Sequence, residues 1–320
     1  MNAEPEPMAA PGAPLTPETH LVAGYAEASA RDYWQLLKPR VMSLVVFTGL
    51  VGLAVAPGHI APLNALLAIL ALAVNAGAAG ALNMWLERDR DALMLRTRNR
   101  PLPKGLIHPD SAFLFALALS AASTVLMGMV TNWLAAALLV ITTGYYLFVY
   151  TLWLKPRTAQ NIVIGGAAGA FPPLIGWAAV TATVPLEAWV LFGIIFLWTP
   201  PHFWALALAV ETDYAKAKIP MLPNVAGQRT TQNQILLYAV LLCGASLVPF
   251  WLGTAGWIYA SAALLLGGLF IAAAFLLWRQ AEPRPRDALR LFGYSIFYLF
   301  LLFALLLLDA QHRVVWTWLA

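Results

Sequence analysis

Long apolar runs alternate with short polar segments along this chain. The runs cover roughly residues 40–57, 62–86, 110–130, 132–151, 161–181, 187–209, 232–252, 255–278 and 289–308. About 20 mostly apolar residues are needed for a helix to cross the hydrocarbon core of a bilayer, so each run predicts one crossing. An α-helix satisfies its own backbone groups in lipid, which an open strand cannot do. The pattern therefore predicts an all-α, polytopic membrane bundle of nine transmembrane helices.

The connections between runs fall into two classes. Segments 57–62, 130–132, 181–186 and 253–256 carry no Lys or Arg. The other class is basic. Arg31, Lys38 and Arg40 precede the first run, and Arg88, Arg90, Arg96, Arg98, Arg100 and Lys104 follow the second. Lys155 and Arg157 follow the fourth, Lys216, Lys218 and Arg229 the sixth, and Arg279, Arg284, Arg286 and Arg290 lie between the last two. Of 19 Lys and Arg, only Arg313 is left over. The two classes alternate strictly. The positive-inside rule then predicts a cytoplasmic N-terminus and a periplasmic C-terminus, which an odd number of crossings requires. The expected location is the inner membrane, multi-pass, with the polar chemistry facing the cytoplasm.

Composition agrees. The 320 residues are 61% apolar and 11% charged, with a mean hydropathy of +0.73. Soluble domains carry about 25% charged residues, so lipid is the fitting solvent for this surface, and nucleic acid is not an expected partner. The lone Cys243 excludes an intrachain disulfide and a cysteine metal cluster. Residues 1–30 hold Glu4, Glu6, Glu18, Glu27 and several prolines, but no Lys or Arg. A secretory signal needs a basic start and an apolar stretch, so this segment reads as a disordered cytoplasmic tail. Residues 31–320 read as the membrane domain. Within it, Ala76–Ala81 and Gly165–Gly169 offer places where helix backbones can approach closely.

The second run ends in Asn83-Met-Trp-Leu-Glu87-Arg-Asp-Arg-Asp91. Asn83, Glu87 and Asp91 are spaced i, i+4, i+8, which puts them on one helix face about 6 Å apart along the axis. Such a row of oxygen donors suits Mg²⁺, which bridges protein carboxylates to substrate phosphates. The spacing equally fits a polar helix end emerging into water. Arg96 and Arg100 follow within ten residues, and guanidinium groups bind phosphate through paired hydrogen bonds. Carboxylates beside arginines point to a diphosphate site. The positive-inside rule explains the arginines but not the carboxylate row. Tyr150 and Lys155, at the end of the fourth run, can supply a hydrogen bond and a phosphate contact; an interfacial aromatic and a snorkelling cation is the blander reading.

A second polar patch follows the sixth run: Thr199-Pro-Pro-His202-Phe-Trp, then Glu211 and Asp213, then Ile219-Pro-Met-Leu-Pro223. Pro200 and Pro201 are expected to kink or break the span. An ionisable His202 at membrane depth is a functional candidate by default, or else a satisfied core histidine. Asp213 is either a further metal-binding carboxylate or a helix cap.

Taken together, Leu37-Lys38-Pro39-Arg40, Asn83 to Gly105, Tyr150 to Thr158 and Trp198 to Pro223 resemble the UbiA-type intramembrane prenyltransferase superfamily, and within it the protohaem IX farnesyltransferase (haem O synthase) family. The likeness runs from about Trp34 to the ninth run. It implies a central cavity open to the cytoplasm. It implies transfer of farnesyl from farnesyl diphosphate to a vinyl group of haem B, with Mg²⁺ as cofactor and haem A synthase or oxidase assembly proteins as partners. By resemblance, Asn83, Glu87, Asp91 and Asp213 are the catalytic metal-binding set. Arg96, Arg100, Lys155, Tyr150 and Lys38 then hold the diphosphate, and His202 serves haem. Two departures stand out. Glu87 replaces the superfamily's usual Asp and reaches one methylene further. His202 with a lone Asp213 replaces the paired aspartates of the quinone-directed members, which disfavours a quinone precursor as acceptor. A relative acting on a quinone precursor or a chlorophyll-type tetrapyrrole is the nearest alternative. A transporter is a more distant one, because coupling sites lie near the bilayer midplane.

Overall fold

A computed structural model describes residues 28–319, and the side chains of all of these except Arg40 and 311–319. The expected tail lies outside the described residues as far as residue 27, and so does the side chain of Arg313. Every described element is helical.

The chain begins with α1 (Ala30–Leu36), capped by the reciprocal Ser29–Asp32 pair, and α2 (Pro39–Val55). Then come α3 (Pro62–Leu93), α4 (Pro109–Val130) and α5 (Trp133–Gly144), which continues as a π-helix over Tyr145–Leu154. The second half holds α6 (Asn161–Gly165), α7 (Ala167–Thr181), α8 (Leu186–Ala209), α9 (Glu211–Lys216), α10 (Leu222–Ala245), α11 (Val248–Trp251), α12 (Trp257–Trp278) and α13 (Pro285–Leu319).

Among the described residues, eight helical segments are long and apolar enough to cross a membrane. The ninth expected crossing is the pair Ala30–Leu36 and Val41–Val55, bent by 59°. Besides the last helix, which runs on to Leu319 past the expected end at 308, two boundaries differ clearly from the sequence pattern. The second crossing runs on to Leu93 and so carries the whole Asn83–Asp91 row on one helix. The seventh starts at Leu222, ten residues early, across a non-helical Gly227. Nor does α8 break at its prolines: Pro200 and Pro201 lie inside a continuous helix. Neighbouring α7, α10 and α13 brace it on several sides, and the Thr199 hydroxyl donates to the Ile195 carbonyl at 2.8 Å beside the two missing backbone donors.

Helices α3, α7 and α8 are the inner ones: 56%, 78% and 61% of their most apolar stretch is buried in protein, against 22% for α4 and 28% for the α10 segment. The outer helices present Leu114, Leu265 and Leu276 outward. A water-facing surface rarely shows such large contiguous apolar patches, and lipid accepts them. Trp133, Trp251 and Trp257 are exposed at the end bearing uncharged loops, and Trp34 and Trp153 at the basic end. These are the two interfacial aromatic belts of a membrane protein.

Hydrophobic transfer does not drive helices together within lipid; close packing and polar contacts do. The tightest crossing is α2 on α7. A Cβ on Gly52 would lie 2.2 Å from the Pro173 carbonyl oxygen, and one on Gly176 would lie 2.1 Å from the Gly49 carbonyl oxygen. Both obstacles are backbone and cannot swing away. Of the stretches singled out by composition, Gly77 accommodates Leu37 and Gly165 accommodates the Tyr150 ring, whereas Gly169 meets nothing within 4 Å. A buried polar knot supplements this packing. Asn75 on α3 donates to Ser123 on α4 at 3.2 Å and accepts from Thr143 on α5 at 2.8 Å.

Gly52→Ala and Gly176→Ala are expected to wedge α2 from α7, lowering the yield of monodisperse protein and its thermal midpoint in detergent. Gly169→Ala, in open space, should leave both unchanged or slightly raised, since Ala is the better helix former. Equal behaviour of all three variants would mean the α2–α7 contact is not as tight as described.

Candidate active site

The last two turns of α3 carry the carboxylate row into a ring of cations. Asn83, Glu87 and Asp91 are all buried. Each meets a cation from a different segment. Lys38 Nζ donates to Asn83 Oδ1 at 3.0 Å. Lys155 Nζ donates to Glu87 Oε2 at 2.7 Å and lies 2.5 Å from Oε1. Arg100 Nη1 donates to Asp91 Oδ2 at 2.6 Å. Lys38 lies in the field of Arg100, Glu87, Asp91 and Lys155 together, so these groups act as one cluster. Asn83 joins the row internally, its Nδ2 donating to Glu87 Oε2 at 2.9 Å and to Thr151 Oγ1 at 3.1 Å.

Local structure explains why each cation arrives. Lys38 adopts a left-handed backbone (φ 50, ψ 51) at the break between α1 and α2. For a non-glycine residue that conformation costs about 1–2 kcal/mol; it turns the lysine stem over Gly80, whose added Cβ would sit 3.5 Å from Lys38 Cδ. Arg100 is returned to Asp91 by the turns of loop 94–108. Thr97 Oγ1 donates to the Asp91 carbonyl at 2.8 Å, and Leu102 and Ile107 anchor the loop in an apolar cluster with Leu36, Met84 and Leu147. Lys155 ends the π-helix, its backbone N–H bonded to the Tyr150 carbonyl five residues back. Tyr150 stacks on Tyr146 at 5.7 Å and lies 5.8 Å below the Lys155 ammonium. A cavity of about 220 Å³, lined by Leu86, Glu87, Asp89, Arg90, Thr151 and Leu152, opens onto the row.

The second patch meets the first through an apolar contact. Met94, just past α3, clusters with Tyr214 and Ala217 of the α9 region, Ile219 and Met221, and with Ile162 and Ala207. Asp213 is buried and accepts from the Arg96 backbone N–H at 3.4 Å, which ties it to the basic loop rather than to the carboxylate row. The side chain of Arg96 is exposed. Among the described residues, no group of three or more His, Cys, Asp or Glu converges to hold a metal unaided.

His202 lies on the buried side of α8. Its ring is sandwiched between Trp198 (centroids 4.2 Å apart) and Phe292 (4.4 Å). Ser295 Oγ lies 2.6 Å from His202 Nδ1 and donates its one proton to the Phe292 carbonyl at 2.6 Å. The hydroxyl must therefore accept from Nδ1–H. In a neutral imidazole that leaves a lone pair on Nε2. Ser295, Phe292 and Thr151 were not among the candidates from sequence. The available signal was a hydroxyl within a mostly apolar run such as 289–308, where Ser295 lies between Tyr294 and Tyr298, since a buried hydroxyl in lipid needs a partner.

Lys155 and Glu87 have side chains only 14% and 4% exposed. Breaking a buried pair on one side leaves an uncompensated charge and costs about 3–5 kcal/mol. Lys155→Met is thus expected to lower the thermal midpoint strongly, and the double change Lys155→Met with Glu87→Gln to recover most of it. No recovery in the double variant would show that Lys155 acts by something other than balancing Glu87.

Comparison with known proteins bears on this site. A family model described as the UbiA prenyltransferase family matches residues 45–296. The chain is 57% identical over 283 residues to a protoheme IX farnesyltransferase of Parvibaculum lavamentivorans, covering 88% of this chain and 89% of that one. It is 56% identical over 292 residues to the protein of the same name from Rhizobium johnstonii, covering 91% and 92%. Among solved structures, a digeranylgeranylglyceryl phosphate synthase matches with a TM-score of 0.72 at 20% identity, covering 88% of this chain and 98% of the other. A UbiA homolog from Archaeoglobus fulgidus bound to DMAPP and Mg²⁺ matches with a TM-score of 0.63 at 18% identity, covering 85% and 99%. At those identities the structural likeness shows the fold alone.

Proposed function

This chain belongs to the UbiA prenyltransferase family, and from that premise we propose how its geometry carries out the reaction its relatives' names describe. The protein is a multi-pass membrane prenyltransferase. It transfers the farnesyl group of farnesyl diphosphate to a vinyl group of haem B, with addition of water, giving haem O and diphosphate. The names of the relatives do not favour a quinone precursor or another tetrapyrrole as acceptor. The observation that carries the mechanism is the buried Asn83–Glu87–Asp91 row faced by three cations from three segments.

That row fits a diphosphate–Mg²⁺ pair. Its donors are one amide oxygen and two carboxylates, and Mg²⁺ characteristically uses one or two carboxylates plus substrate phosphates rather than a full protein cage. Asn83, Glu87 and Asp91 would hold the ion, and Asp213 of α9, bonded to the Arg96 backbone beside the row, would be the further carboxylate. Bound there, Mg²⁺ supplies charge neutralisation to the leaving diphosphate. Lys38, Arg100 and Lys155 turn from the row to the diphosphate oxygens, joined by Arg96 from the loop surface, and Tyr150 donates a hydrogen bond from the π-helix. Cationic donors held in place favour the charge that develops as the C–O bond breaks. No protein nucleophile is needed: the electron-rich vinyl carbon takes the farnesyl group, and water completes the product. His202 positions haem. A neutral ring with Nδ1–H bonded to Ser295 offers Nε2 as an acceptor, which suits an axial bond to iron; a propionate would need a donor there. The hydrogen bond on the far nitrogen is the usual support of a metal-binding imidazole.

The basic loops support a site facing the cytoplasm at the inner membrane. A reporter fused after Arg100 is expected to report cytoplasm, and one after His59 the opposite side; the reverse pattern would overturn the orientation.

Purified protein given haem B, farnesyl diphosphate and Mg²⁺ should yield a product with the mass of haem O. Asp91→Asn is expected to lose most turnover and Glu87→Asp to retain part of it, because a shorter carboxylate still reaches a metal and an amide is a poor ligand. His202→Ala should change the haem absorption spectrum while farnesyl diphosphate binding stays nearly constant. Normal turnover by Asp91→Asn at low Mg²⁺ would sink the metal assignment, and an unaltered haem spectrum in His202→Ala would sink that of the histidine.

A further inference from the structure

Thr151 sits inside the fourth crossing, fully buried, in a stretch that reads as plain apolar helix. Its hydroxyl donates to the Tyr146 carbonyl at 2.8 Å. That bond runs five residues back, in the register of the π-helix. With its one proton committed there, the hydroxyl offers only lone pairs to Asn83, whose Nδ2 donates to it at 3.1 Å. Thr151 and Glu87 line the same cavity of about 220 Å³.

We infer that Thr151 is a positioning residue that fixes the orientation of the Asn83 amide, so that Oδ1 faces the cation and metal side of the site. The inference rests on the assignment of Asn83, Glu87 and Asp91 to Mg²⁺–diphosphate. Asn83 has three partners. Lys38 donates to Oδ1, and Glu87 and Thr151 accept from Nδ2. Lys38 and Glu87 are charged, and both are drawn on when an anionic substrate and a divalent ion arrive. Thr151 is neutral and engaged only with its own helix and with Asn83. Among these three it is the partner that remains as the charged ones change theirs. An asparagine amide left without it can turn over and present its NH₂, which binds no cation.

The test uses the full-length protein in detergent or nanodiscs, with Mn²⁺ as the spectroscopic stand-in for Mg²⁺ and farnesyl thiodiphosphate as the diphosphate probe. Thr151→Val keeps the side-chain shape and removes the acceptor; Thr151→Ser keeps the acceptor. The expected result is that Thr151→Val weakens Mn²⁺ binding in the presence of the probe by about three- to tenfold, the size of one neutral hydrogen bond. Thr151→Ser should bind like the parent, and haem affinity should be the same in all three. Mn²⁺ binding by Thr151→Val equal to the parent would overturn the inference. So would a parallel loss of Mn²⁺ binding, haem affinity and thermal midpoint, which would make Thr151 a packing residue. If the parent itself bound neither Mn²⁺ nor the probe, the site assignment beneath the inference would fail, a result distinct from the other two.

Discussion

Two carboxylates buried at the end of one membrane helix set the terms for the rest of this structure. Glu87 and Asp91 cannot remain charged in a protein interior at the edge of lipid without partners. Lys155 and Arg100 supply them, and Lys38 completes the set through Asn83. Each cation needs an uncommon piece of backbone: a left-handed lysine before a proline, a loop folded back by Leu102 and Ile107, and a π-helical turn. The bundle beneath is ordinary by comparison. Its glycines and the Asn75 knot hold the helices close enough that these three pieces arrive at the same place.

The second half of the molecule answers to a different demand. His202 carries no ion pair. It is fixed by flat contacts with Trp198 and Phe292 and by one hydroxyl. Aromatic faces and a serine impose orientation without charge, as a neutral imidazole requires. Met94 and Tyr214 fall in one apolar cluster, which links the end of α3 to the α9 region. That division underlies the proposed roles of the two regions, one toward a diphosphate and the other toward a porphyrin.

Much of this was legible in the sequence, for identifiable reasons. Crossings were legible because lipid tolerates little charge over 20 residues, and Leu186–Ala209 matches its predicted run nearly to the residue. The Asn83–Asp91 row was legible because its spacing is a helix period. A break at Pro200 and Pro201 did not follow: both lie within a continuous α8, which α7, α10 and α13 brace. Thr151 and Ser295 did not stand out, since each is one of several hydroxyls in its run and acquires meaning only when the fold chooses its neighbour. The close contact of α2 on α7, with Gly52 on Pro173 and Gly49 on Gly176, was also missed. Small-residue runs at 76–81 and 165–169 looked more prominent, but composition does not say which face meets a neighbour.

The two ion pairs differ sharply in how far apart their members lie along the chain. Arg100 follows Asp91 by nine residues, whereas Lys155 follows Glu87 by 68. A ribosome delivers the chain from its N-terminus at about 5–20 residues per second. Asp91 therefore gains its partner within a second or two of synthesis. Glu87 waits for two further membrane helices to be made and inserted, with only Lys38 and Asn83 already present nearby. The end of α3 stays incomplete through that interval, and the arrival of the fourth crossing closes the first half of the bundle.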